Sequence, residues 1–225
     1  MAKKTTEQEI RQQNVAEAVS KTEQFFKENG KIIYGCVLAV LIIAIAILAY
    51  NRFILQPKKA QAQDQMVRAE QWFEAGEYEL ALQGDGNDLG FEDLISQFGA
   101  KGGEAIYMYA GVAKLHLGEY DDAIAYLKKY KGDDPILLGR AQCCIGDAYV
   151  GKEDYSTAIS WFEKAAKTTD NIYAAAYLLK AGIAAEELGN KEKALSFYKE
   201  IKDQWANAPE ASEIDKYITR IETAE

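Results

Sequence analysis

Glycine and alanine recur in this chain in one fixed register, and that register constrains the fold more than any other feature. Gly111, Gly146 and Gly182 are separated by 35 and 36 residues, and Ala123, Ala158 and Ala194 follow at the same steps, so each glycine precedes its alanine by twelve. A period of this length marks a stack of similar units rather than one globular core. Apolar residues around these positions return every three or four places, the spacing of amphipathic helices. With 17 Gly and 3 Pro in 225 residues, the chain is poor in the turn residues that many short strands would need.

The three units read YAGVAKLHLGEYDDAIAYLKKY, CIGDAYVGKEDYSTAISWFEKA and KAGIAAEELGNKEKALSFYKEI. They resemble tetratricopeptide repeats, helix pairs with a period of 34 residues. The resemblance implies that the small residue of the first helix lets the second approach closely. It implies the same of Ala123, Ala158 and Ala194 from the other side. Leu127, Phe162 and Tyr198 are expected to fill the space between successive pairs, and Gly118 and Gly189 to form the inter-helix turn, where a positive φ is needed. Pro135 stands at the proline that ends a repeat. Glu153 in place of a turn glycine, Lys191 in place of the tyrosine seen at Tyr120 and Tyr155, and Asp170 and Ala206 in place of the terminal proline depart from the pattern.

An earlier, degenerate unit is AEQWFEAGEYELAL, with Ala69, Gly76, Tyr78 and Ala81 in the matching places. Between it and the next unit lies GDGNDLGFEDLISQFGAKGG, a Gly- and Asp-rich connection with a short apolar helix from Phe91 to Phe98. Asp85, Asn87 and Asp93 have the look of a calcium loop, but Leu89 and Ser96 stand where oxygen ligands belong, so a solvated turn is expected. The closing segment from Pro209 reads as a fourteen-residue helix with Ile214, Tyr217, Ile218 and Ile221 on one face, suited to cap an exposed repeat end.

Ahead of the repeats, Ile32 to Tyr50 runs nineteen residues without a charge. As a helix it is about 28 Å long, the hydrocarbon thickness of a bilayer. Tyr34, Tyr50 and Phe53 lie where interfacial aromatics belong. A single membrane anchor is expected rather than a cleaved signal peptide, whose apolar core is shorter and nearer the terminus. Flanking Lys and Arg do not fix its orientation: Lys21, Lys27 and Lys31 precede it, and Arg52, Lys58, Lys59 and Arg68 follow. Upstream, Ile10, Val15, Ala18, Val19, Thr22, Phe25 and Phe26 form a helical stripe, either resting on the membrane surface or belonging to a solvated helix.

The fold class is therefore all-α, a single N-terminal transmembrane helix followed by a tetratricopeptide-repeat solenoid with a C-terminal capping helix. Its expected divisions are residues 1–31, a charged amphipathic segment; 32–55, the membrane helix; and 56–103, the degenerate repeat with its insertion. Residues 104–208 hold three repeats, and 209–225 the cap.

Charge and composition then remove whole classes of function. Of the 35 acids and 26 bases, residues 51–225 hold 30 and 20, an acidic surface that repels phosphate backbones and argues against nucleic acid as a partner. Cys36, Cys143 and Cys144 match neither a disulfide framework nor a zinc pattern, and His116 is the single histidine. No nucleophile motif surrounds His116, and no glycine loop cradles a phosphate, so neither catalysis, a metal nor a cofactor is expected.

Stacked pairs leave a groove lined by the first helix of each. Carried over residue by residue, the resemblance puts Met108, Val112, Leu115 and His116 of one unit there. Arg140, Cys143, Asp147 and Val150 follow from the next, and Leu179, Ile183, Glu186 and Glu187 from the third. Met108, Val112, Leu179 and Ile183 suit an apolar partner segment, although each taken singly reads first as core. Arg140 suits a carboxylate of a partner or an ordinary surface ion pair.

The whole arrangement, including GDGNDLGFEDLI, resembles the YfgM-like family of ancillary Sec translocon subunits. That resemblance implies a single-pass protein of the bacterial inner membrane with a periplasmic repeat domain. It implies the Sec translocon, a membrane-anchored prolyl-isomerase-type chaperone and emerging client polypeptides as partners. The alternative is a structural scaffold for an envelope or secretion complex, and neither reading states an oligomeric state.

Overall fold

The computed structural model describes residues 2–99 and 103–223, with side chains from residue 23 onward except Phe26. Among the described residues eleven α-helices carry the chain, and the one β-feature is an isolated bridge between Gly84 and Leu89. The chain divides into two compact units, Met1–Pro57 and Lys58–Glu225.

The first unit is α1 (Ala2–Tyr50) followed by a π-helical turn, Asn51–Leu55. Helix α1 runs unbroken from Ala2 into the apolar run, so the charged segment and the apolar stretch lie on one helix. Gly30 and Gly35 each weaken a helix by only about 1 kcal/mol, too little to end one. The stripe from Ile10 to Phe26 lies, Phe25 apart, outside the residues whose side chains are described. From Lys27 onward the segment is long and apolar enough to cross a membrane, and its most apolar window is nowhere buried within the chain. Val40, Leu41, Ile42 and Ile43 are all more than half exposed. Four consecutive residues at 100° steps sample the whole circumference, whereas a core helix hides one side. Each such side chain forfeits roughly 1.5–3 kcal/mol in water, so this surface requires an apolar surround.

The second unit comprises α2 (Gln56–Glu74), α3 (Tyr78–Gln83), α4 (Phe91–Phe98), α5 (Ala105–His116), α6 (Tyr120–Leu127), α7 (Pro135–Gly151), α8 (Tyr155–Thr169), α9 (Ala174–Glu187), α10 (Lys191–Gln204) and α11 (Ile214–Thr223). Four helix pairs, α2–α3, α5–α6, α7–α8 and α9–α10, turn on the same backbone geometry. The turn residue has a positive φ in every pair, +79° at Gly76, +77° at Gly118, +60° at Glu153 and +76° at Gly189. The next N–H donates back five residues each time, from Glu77, Glu119, Asp154 and Asn190 to the carbonyls of Trp72, Lys114, Tyr149 and Ala185 at 2.8–2.9 Å. This is the Schellman closure, which satisfies carbonyls orphaned at the end of the first helix. The degenerate first pair thus makes the same turn as the rest.

Within the later pairs the recurrent glycine has a steric reason. A Cβ at Gly111 would lie 2.6 Å from Leu127 Cγ, one at Gly146 2.5 Å from Phe162 Cε1, and one at Gly182 would overlap the Tyr198 ring. Leu127, Phe162 and Tyr198 therefore press on the glycine of their own pair, sixteen residues back, rather than only filling the gap between pairs as expected. Ala81, Ala123, Ala158 and Ala194 are fully buried on the second helices.

Capping departs from expectation in two places. Pro135 opens α7 rather than closing the previous helix: Asp134 caps it by accepting from the N–H groups of Ile136 and Leu137 at 2.8 and 3.1 Å, and proline suits a first turn whose N–H has no helical partner. The closing segment is not one helix but a 3₁₀ turn, Pro209–Ser212, and then α11. Ile214, Ile218 and Ile221 bury against the last pair while Tyr217 is half-buried beside Tyr198, and Ala224 and Glu225 lie outside the described residues. Arg220 of α11 is fastened to Glu186 at 2.6 Å, and Glu186 also accepts the Tyr198 hydroxyl at 2.5 Å.

The connection after α3 closes on itself. The Asp85 carboxylate accepts from the N–H groups of Asn87 and Asp88 at 2.9 and 2.8 Å, an Asx turn in solvent. Helix α4 then buries Phe91, Leu94 and Phe98 with Ala69, Ala81 and Leu82 of the first pair. Lys114 of α5, almost fully buried, ties it down through Glu92 at 3.0 Å and Glu119 at 2.7 Å.

Candidate functional site

An apolar cavity lies along the first helices of three successive pairs. It has a volume of about 310 Å³, and Phe73 of α2, Met108, Tyr109 and Val112 of α5, and Leu137 and Arg140 of α7 line it, with Tyr130 at one wall. The floor is aromatic at the α2 side, where Phe73 meets Tyr109 edge-on at 5.2 Å and Tyr109 stacks on Phe91 at 5.3 Å. Burial, and then the neighbouring Glu74 carboxylate, hold the Glu70 carboxyl above its usual range on the same side. At the α7 side Arg140 is exposed and makes no ion pair among the described residues. Of its two readings, the intramolecular ion pair is absent there. An apolar trough with one free guanidinium can take an aliphatic or aromatic segment and fix one carboxylate by charge-assisted hydrogen bonds.

Met108, Val112 and Arg140 are thus the expected residues that the fold brings together in this cavity. Leu115 and Val150 pack, half-buried, against the core on either side. His116 is held flat against Tyr78 of the preceding pair, ring centroids 4.4 Å apart and planes 2° from parallel, so its ring face joins two pairs and does not line the cavity. Cys143 is a correction: it is 4% exposed and belongs to the core, because the α7 face that carries it turns toward α8 and α9. Burial and the Asp147 carboxylate push its thiol far up, and burial pushes that of Cys144 up to about 11, so neither is a thiolate at neutral pH.

Asp147 is occupied by Lys180 of the next pair, whose ammonium donates to both carboxylate oxygens at 2.7 and 2.8 Å. Leu179 is half-buried against the core, and Glu186 is engaged by Arg220 and Tyr198. Ile183 and Glu187 are exposed on α9 and do not line the cavity.

Sequence reasoning missed Phe73, Tyr109, Tyr130 and Leu137. Phe73 was available: it stands four residues after Ala69, the counterpart of Gly111, just as the expected groove residue Leu115 stands four after Gly111. Leu137 precedes the repeat's own first positions and had no such signal. Among the described residues no group of three or more His, Cys, Asp or Glu gathers in a way that could hold a metal ion.

An open trough across successive helix pairs is the geometry of a helical-repeat protein-interaction module. Residues 145–209 match the tetratricopeptide repeat family model, covering the last part of α7 and all of α8, α9 and α10. No curated protein matches the chain in sequence.

Proposed function

We propose that this protein is a membrane-anchored adaptor that holds polypeptide segments in the trough of its first helices. The carrying observation is the free guanidinium of Arg140 beside an apolar cavity formed by Phe73, Met108, Val112 and Leu137. The anchor is the all-round apolar stretch of α1, seated in a bilayer, which raises the local concentration of membrane-proximal partners without any new contact.

The resemblance to ancillary Sec translocon subunits supports the finer reading. In it the repeat domain is periplasmic, at a bacterial inner membrane, and works beside the translocon with a prolyl-isomerase-type chaperone on emerging envelope proteins. In an oxidising compartment the burial of Cys143 and near-burial of Cys144 shield both thiols.

Photo-crosslinking from positions 108 and 112 in intact cells tests the reading. The adaptor function gives translocon, chaperone and heterogeneous client products that fade in Arg140→Glu. A structural scaffold gives one stoichiometric product, and products indifferent to Arg140 overturn the trough as the site. Protease treatment of spheroplasts checks topology: cleavage beyond Pro57 is expected, and protection there overturns the periplasmic placement.

A further inference from the structure

A second cavity, of about 250 Å³, opens on the side of the second helices, between α6 and α8 with α7 as its floor. Leu138 and Ile145 supply apolar floor, Trp161 stands at the wall, and the charged residues lining it are Lys128, Lys131 and Lys164, with no acid among them. In a domain with ten more acids than bases, three lysines converging on one recess are against the average. None of the three makes an ion pair among the described residues. Instead Lys164 and Lys128 hold their ammonium groups 4.7 and 5.8 Å from the centre of the Trp161 ring.

The neighbouring pair provides an internal control. The corresponding recess between α8 and α10 is somewhat larger, about 320 Å³, but Glu163, Asp170 and Glu200 line it with Lys167. The repeat architecture therefore demands a recess and leaves its charge free. The basic lining belongs to this one pair and is not a by-product of packing.

From this geometry we infer that the recess between α6 and α8 docks an acidic segment of a protein partner, with an aliphatic or aromatic residue entering beside Trp161 and flanking carboxylates meeting Lys128, Lys131 and Lys164. Three unpaired ammonium groups call for anionic charge, and a recess with an apolar floor calls for a side chain rather than a flat headgroup surface. A nucleic-acid backbone meets the surrounding acidic surface and is disfavoured. Tyr130 lines both this recess and the trough, so one ring separates two sites of different preference. The domain then bridges two polypeptides, one on each side.

The test uses the full chain in detergent micelles and the fluorescence anisotropy of a short labelled peptide carrying Glu on both sides of a central Leu-Phe pair. Binding is expected, weakening with added salt. Replacing every Glu of the peptide by Gln, or making Lys128→Gln, Lys131→Gln and Lys164→Gln together, weakens it by about tenfold or more. The titrations are made in the Arg140→Glu background, which removes the carboxylate contact of the trough, so that dependence on the three lysines reports the recess alone.

The three lysines are exposed, and thermal melting confirms that the triple variant folds. Should it melt early, Lys164→Glu alone gives the same loss. Equal binding of the Gln peptide, or binding indifferent to the lysines, overturns the inference. So does lysine-dependent retention on phosphatidylglycerol vesicles or on single-stranded DNA without peptide binding.

Discussion

The first helix pair and the three later ones share a turn and differ in what lies beneath it. In the later pairs a glycine faces a large side chain sixteen residues on, at Leu127, Phe162 and Tyr198. In the first pair the matching residues are Ala69 and Asp85, and α3 has already ended at Gln83. With no ring pressing on it, Ala69 keeps its methyl group and is fully buried. The apolar side chains that a six-residue α3 cannot provide come from α4, through Phe91, Leu94 and Phe98. The turn is a local property of a few backbone dihedrals, and the filling of the pair is negotiable as long as something apolar arrives.

The sharpest way to break that contrast is to add volume at the glycine. Gly182→Val or Gly146→Val is expected to destabilise the repeat unit by about 3 kcal/mol or more, since the opposing ring is fully buried and has nowhere to move. Ala69→Gly in the first pair loses only about 1 kcal/mol, chiefly through helix propensity. Urea unfolding of the full chain in detergent measures both, and equal losses would contradict the steric account.

A smaller effect sharpens the shared turn. Glu153 holds the left-handed conformation that glycine holds in the other pairs, so Glu153→Gly is expected to gain about 0.5–1 kcal/mol. Gly76→Ala, with open space around it, loses about 1 kcal/mol through its backbone alone. Thermal midpoints moving in opposite directions bear this out.

The smallest effect is a pH dependence. Asp154 and Asn190 cap α8 and α10 in the same way, accepting from Thr157 and Lys193 N–H groups at 3.1 and 3.0 Å. Hydrogen bonds from Thr157, side chain first and then backbone, hold the Asp154 carboxyl below its usual range. Its stabilisation is therefore complete above the unfolded-state pKa and is lost as pH falls through the lower folded value. Asp154→Asn keeps the acceptor and removes the titration, so the variant should gain on the parent as pH drops below about 4. Parallel stability curves for the two chains would refute that assignment.

Much of the architecture was legible in the sequence because its determinants are local. The Gly–Ala register, the turn glycines, the apolar α4 and the uncharged run before them all read directly, since helical periodicity and positive φ leave marks within a few residues. The single closing helix did not hold, because Pro209 starts a 3₁₀ turn that precedes α11. The candidate site was legible only in part. Register gave Met108, Val112 and Arg140 their side of the helix, but one helical face offers several residues to whichever neighbour arrives.

By itself, then, the sequence determined that the chain forms paired helices behind an apolar rod, because dihedral preference and hydrophobic period act over three or four residues. Tertiary structure decided which charges remained free. Asp147 was claimed by Lys180, 33 residues away, and Glu186 by Arg220, 34 away, while the side chains of Arg140 and of the three lysines lining the recess make no ion pair among the described residues. Ion pairing depends on where distant segments come to rest, and no pattern within one repeat encodes that.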